Sequence, residues 1–144
     1  MKDQFPGEQA TALRVFQLAE AYRRASELLE PQGKRRNPLS RAPYRLVTIQ
    51  AVELYLNAWL LHKGHDAKKI RGMQHNLAAR AEAAIADGLK LRKLTAQHLA
   101  SMTGNREYLI IRYDPEKTAT VSQINRLAAT LNEVAKKVSL VIGA

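Results

Sequence analysis

No cysteine occurs among the 144 residues, which excludes disulfides, thiolate zinc sites and a cysteine nucleophile. That absence fits a reducing compartment, and the cytoplasm is the expected location. No membrane span is expected either. The longest apolar stretch, around 54–61, is interrupted by Asn57, whereas a spanning helix needs about 20 apolar residues. The first residues, Met1-Lys2-Asp3-Gln4-Phe5-Pro6-Gly7, have none of the apolar core of a signal peptide. The four histidines, at 62, 65, 75 and 98, never fall in a His-Glu-x-x-His pattern, so no metal site is expected. Nor do the glycines form a phosphate-cradling loop, and no cofactor is expected. Acidic residues are outnumbered, 13 against 23 lysines and arginines.

What is present is one domain's worth of chain, 1–144, enough to bury roughly 68–70% of its unfolded surface without a metal or disulfide staple. The formal net charge of +10 makes attraction to polyanions such as nucleic acid physically available. A merely solvated basic surface is the alternative, and composition does not decide between them.

Periodicity predicts helices throughout. Over 8–30, Val15, Leu18, Tyr22, Ala25 and Leu29 recur at steps of three and four, and Pro31 and Gly33 stop the pattern. The segment 31–43, with Lys34, Arg35, Arg36 and Arg41, reads as an exposed basic loop. A second helix over 44–63 carries Leu46, Ile49, Val52, Leu56, Trp59 and Leu60 and ends at Gly64; a face this broad needs cover from neighbouring helices or a second subunit. After a short polar turn, an alanine-rich helix is predicted over 73–87, closed by Gly88. A fourth, over 95–111, is weakened or divided by Gly104 and stopped by Asp114-Pro115. The last, over 118–138, shows a narrow stripe of Val121, Ile124, Ala128, Leu131, Ala135 and Val138. No period-two alternation stands out, so the expected architecture is all-α, an up-down bundle of about five helices.

Within this frame a few polar residues stand out. Glu53 and Asn57 are four residues apart inside an apolar segment, sharing a helix face, and a buried Glu53 calls for a cationic partner such as an arginine on a neighbouring helix. Arg71 and His75 have the same spacing, and guanidinium with imidazole suits phosphodiester chemistry. Arg92 and His98 lie about 120° apart on a continuous helix, which disfavours a direct pair unless the helix starts at Thr95; His98 is expected on an exposed face. Arg106, Tyr108, Arg112 and Tyr113 mix cations with rings that stack on bases and hold phosphates, or that anchor helix ends.

With the Ala51-Val52-Glu53-Leu54-Tyr55-Leu56-Asn57-Ala58 helix, the Gly72-Met73-Gln74-His75-Asn76-Leu77 segment and Arg106-Glu107-Tyr108 leading to Arg112-Tyr113, the chain resembles the HEPN domain over roughly 43–138. It departs from the family pattern at Asn57, where many members have lysine, at Asn76, where aspartate is usual, and at Asp114-Pro115, which replaces a direct Tyr-Pro. The resemblance implies a helical module that binds a nucleotide or RNA through Arg71, His75, Asn76, Arg106, Tyr108, Arg112 and Tyr113. Such modules act as homodimers or beside a nucleotidyltransferase-type protein. Ribonuclease toxins of the family are metal-independent and carry an arginine followed at short spacing by a histidine, which here points to Arg92 and His98 or, one residue too short, to Arg71 and His75 as catalytic candidates. Catalysis is left open.

Two other readings stand beside this one. Ala100, Gly104 and Ile110 fall at helix-turn-helix spacing, which would send 105–112 into a DNA major groove. A pure interaction scaffold is the other, its apolar helix faces serving assembly.

Overall fold

A computed structural model describes residues 4–143, and the ends of the expected 1–144 domain, Met1 to Asp3 and Ala144, lie outside them. Among the described residues there are seven α-helices and no β-strand: α1 Ala12–Leu29, α2 Ala42–His62, α3 Ala67–Gly72, α4 Leu77–Ala86, α5 Lys93–Gly104, α6 Glu107–Tyr113 and α7 Ile124–Ile142. Three 3-10 turns connect them, at Glu30–Gln32, Pro38–Arg41 and Pro115–Thr120. No helix among these residues is long and apolar enough to cross a membrane.

The helix ends follow local chemistry. Thr11 caps α1 by accepting the Arg14 amide at 3.2 Å, and Asn76 caps α4 by accepting the Ala79 amide at 2.9 Å. Gly64 and Gly88 adopt φ of +91° and +99° beyond α2 and α4. The next residue in each case then bonds back into the last turn, His65 N to Leu60 O and Leu89 N to Ala84 O, both at 3.0 Å.

Helix α2 is the hub. Thirteen of its 21 residues are buried, and its cover comes from α1, α4, α6 and α7 of the same chain, so its apolar surplus is consumed internally. Helix α1 packs antiparallel on it, with Phe16 edge-on to Tyr55 at 5.8 Å and the Tyr55 hydroxyl donating to Glu20. Contacts between α2 and α4 advance together along both helices, Glu53 to His75, Asn57 to Arg80 and His65 to Asp87, so those two run parallel. The short α3 makes this possible by returning the chain from the end of α2 to the level of Glu53. Helix α7 starts beside Arg45 and ends against Phe16, parallel to α2, while α5 runs antiparallel to α7 through the Thr95–Glu133 and His98–Thr130 contacts.

The all-α expectation holds, but in place of about five up-down helices there are seven, and α2 and α4 run parallel because α3 returns the chain between them. The polar turn before residue 73 is largely α3, started by Asp66, whose carboxylate accepts the Lys68 amide at 2.8 Å. The helix expected over 95–111 is two, broken at Asn105 and Arg106. The helix expected from 118 begins at Ile124, because the preceding residues form a 3-10 turn.

Candidate functional site

The expected polar cluster assembles around His75. Gln74 immediately before it has φ of +49°, a left-handed conformation that costs a side-chain-bearing residue of order 1–2 kcal/mol. The imidazole Nδ1 lies 3.3 Å from Oε1 of Glu53, a buried carboxylate on α2, while the His75 side chain itself is 50% exposed. Its ring stacks on Tyr108, with centroids 3.9 Å apart and planes 19° from parallel.

Tyr108 reaches His75 because α6 is fixed at its start. Arg106 has φ of +54°, turning the chain sharply out of α5. Glu107, 1% exposed, then accepts the Ser122 amide at 3.0 Å and the Ser122 hydroxyl at 3.1 Å and pairs with Arg45 at 3.7 Å. One turn further on, the Arg112 guanidinium lies 4.9 Å from the Tyr108 ring and 5.2 Å from the Tyr113 ring. His75, Tyr108, Arg112 and the exposed Tyr113 therefore form a column of planar groups on the surface.

Beside the column a cleft of about 850 Å³ opens between α1, α2 and α3, lined by Val15, Leu18, Glu53, Asn57, Arg71 and His75 among others. The Arg71 guanidinium lies over the Phe5 ring at 4.4 Å. Although α3 ends at Gly72, so that Arg71 and His75 do not share a helix, both reach this wall. The cleft is backed by Arg80, a buried cation whose Nε donates to Asn57 Oδ1 at 2.6 Å and whose Nη2 donates to Ile70 O at 3.3 Å. Burial pulls the Arg80 guanidinium below its ordinary value, and the charge of Glu53 offsets part of that. Glu53 and Asn57 thus share a face as expected, but the side chain in direct contact with Glu53 is the His75 imidazole, while the arginine is taken by Asn57. Asn76 serves α4 as its cap.

Arg92 and His98 do not join this cluster. Arg92 precedes α5, where its amide donates to Glu133 at 2.6 Å. His98, expected on an exposed face, is 6% exposed because that side of α5 packs on α7, and its Nδ1 lies 2.6 Å from the Thr130 hydroxyl. A sealed imidazole does not reach a substrate, so the Arg92–His98 pair has no catalytic geometry here. Arg106 is exposed at the turn into α6. The break at Asn105 and Arg106 matches helix-turn-helix segmentation, yet α6 turns Glu107 and Ile111 into the core and Tyr108 onto His75.

Arg80, Arg45 and Ser122 belong to no motif in the sequence. Arg80 had a signal, since it falls on the face of α4 that buries Leu77, Ala81 and Ala84. Arg45 and Ser122 had none, because their partner Glu107 is remote in the chain. Comparison with protein-family models, with curated proteins and with solved structures finds no match to this chain.

Proposed function

We propose that this chain is a HEPN-like module that binds a nucleotide or single-stranded RNA on the column of His75, Tyr108, Arg112 and Tyr113. The column itself is the observation that carries the reading. Stacked rings interleaved with a guanidinium offer faces for bases, and Arg71, Arg106 and Arg112 are cations in reach of a phosphate backbone. In the same reading the module works as a homodimer or beside a nucleotidyltransferase-type protein, for which the exposed Leu13, Leu18 and Leu28 of α1 offer apolar surface.

Fluorescence anisotropy with labelled single-stranded RNA, across a salt series, tests it. About three phosphate contacts correspond to a slope near −2 in log affinity against log salt. Loss of one stacked base costs roughly 1–3 kcal/mol, so Tyr113→Ala at the open end is expected to weaken binding about 5- to 150-fold, and Tyr108→Ala, which breaks the column from within, at least as much. RNA affinity that is absent, or equal in wild type and both variants, refutes the reading. Self-association without such affinity favours the scaffold alternative.

A ribonucleolytic version of the module rests on His75 alone, because a half-exposed imidazole beside a buried carboxylate is an arrangement suited to general acid–base work. It predicts metal-independent RNA cleavage that His75→Ala abolishes and that His98→Asn leaves intact in the folded protein.

A further inference from the structure

The basic stretch 31–43 does not hang free in solvent. The Ser40 hydroxyl accepts the Lys34 amide at 2.7 Å and donates to the Asn37 carbonyl at 2.6 Å, folding the stretch on itself. Gly33 leaves room for Arg41 to cross, since a Cβ there would sit 2.6 Å from Arg41 Cγ. Arg35, Arg41 and Arg45 consequently line one cavity of about 730 Å³, whose opposite wall is Thr118 and the start of α7 at Gln123, Ile124 and Asn125.

Three independent features of this cavity call for an anion. Helix α7 is 19 residues long and begins at the cavity wall without a side-chain cap, so the amides of its first turn have no side-chain acceptor. Arg45 is only 8% exposed; its Nη1 donates to the Ser122 carbonyl at 2.6 Å, but its Nε, like the Arg41 Nε, is buried without a partner. Leaving such a donor unmet costs of order 1–3 kcal/mol, and both belong to side chains that line this cavity. The charge is also unbalanced. Among the described residues, only Arg45 of the three arginines has a carboxylate within 4 Å, that of Glu107, and no acidic residue lines the cavity.

We infer that this cavity binds a phosphate group, free or as a phosphomonoester, held by Arg35, Arg41 and Arg45 and by the first amides of α7. The net charge of +2 left by three arginines and Glu107 matches a phosphate carrying about −1.5 to −2 at neutral pH. Its several acceptor oxygens suit donors that converge from more than one side, which a carboxylate fills less completely. The cavity is separate from the stacked column, because α6 stands between them with Glu107 on Arg45 and Tyr108 on His75.

The test is titration of the ¹⁵N-labelled full chain with inorganic phosphate against chloride at matched ionic strength, following the Ile124 and Asn125 amides. Saturable shifts with phosphate alone are expected, weakened at least tenfold in Arg41→Gln and in Arg35→Gln. Arg45→Gln is a poor probe because it strands buried Glu107. Gly33→Ala is the sharper one, since it keeps every charge and displaces only the Arg41 stem. Weakened binding in it separates a built site from general attraction to a basic surface. Tyr108→Ala leaves the titration unchanged, so failure of the RNA reading and failure of this one are distinct results. A nucleoside 5′-monophosphate and RNA with and without a 5′-phosphate then identify the source by which binds tighter than phosphate alone. Equal shifts in phosphate and chloride, or undiminished binding in the Arg35→Gln/Arg41→Gln double variant, overturn the inference.

Discussion

His98 offers a quantitative test of how the core is wired. The imidazole is sealed between α5 and α7, its Nδ1 on the Thr130 hydroxyl and its Nε2 buried without a partner. Burial lowers its pKa, the carboxylate of Glu107 offsets part of that, and Arg126 and Arg45 add to the lowering. The unfolded chain, with an ordinary imidazole near 6.5, therefore takes up this proton first as pH falls. The stability tied to neutral His98 is fully present above that value and is lost progressively as pH drops through it towards the folded-state value. Proton uptake by the unfolded imidazole alone caps the loss between pH 7.5 and 5.5 at about 1.4 kcal/mol. Urea unfolding followed by fluorescence of the single, buried Trp59 measures this from pH 7.5 to 5.5. His98→Asn is the reference, since it keeps a polar side chain without titrating. Wild type should lose up to about 1.4 kcal/mol more than the variant over that range. Parallel profiles would mean that the native imidazole protonates as readily as the unfolded one, and the account of a sealed, neutral His98 would be wrong.

Other perturbations separate the anchors of the site from its surface. Glu107→Ala leaves Arg45 buried without its carboxylate and should cost about 3–5 kcal/mol in denaturant unfolding; a loss below about 1 kcal/mol would show that Arg45 escapes to water. Gln74→Gly relieves a left-handed residue worth about 1–2 kcal/mol but adds backbone entropy worth roughly 0.5–1 kcal/mol, so the melting temperature should hold or rise. A clear drop would mean that the Gln74 side chain has a stabilising contact that outweighs its strain. Burial works to raise the Glu133 carboxyl, but hydrogen bonds from Lys137, Thr95 and the Arg92 amide hold it below the usual carboxylate range. Its contribution is present at neutral pH and is lost only as pH falls through that lowered value. The stability gap between wild type and Glu133→Gln, about 1 kcal/mol for weakened hydrogen bonds to Lys137, Thr95 and the Arg92 amide, should therefore persist at pH 4.5 and close below it.

The long helices are legible because each carries its signal within its own residues. The three-four steps of α1 and α7 and the broad apolar face of α2 need no knowledge of partners, and Gly64 and Gly88 mark ends by a conformation that other residues resist. The short elements are not legible in that way. A six-residue α3 is too brief for periodicity, and its one local mark is Asp66 at the cap position. The break between α5 and α6 is announced only weakly by Gly104. The turn itself falls at Arg106, a residue that ordinarily avoids left-handed backbone, because the Glu107 contacts with Ser122 and Arg45 lie across the bundle.

The same distinction runs through the site. Arg112 and Tyr113 are recoverable as neighbours of Tyr108 because one helical turn joins them, whereas the His75–Tyr108 stack depends on two left-handed residues, Gln74 and Arg106, placing their helices in register. Neither conformation is favourable locally, so contacts made by the next residue along the chain must hold each in place. Glu53 holds His75 from below, and Glu107 fixes the base of α6 one residue before Tyr108. Two buried carboxylates thus orient an exposed column of rings and a guanidinium. Truncating Glu53 or Glu107 should disorder the column before it unfolds the bundle, whereas truncating Tyr113 at its open end should leave both stacking and stability in place.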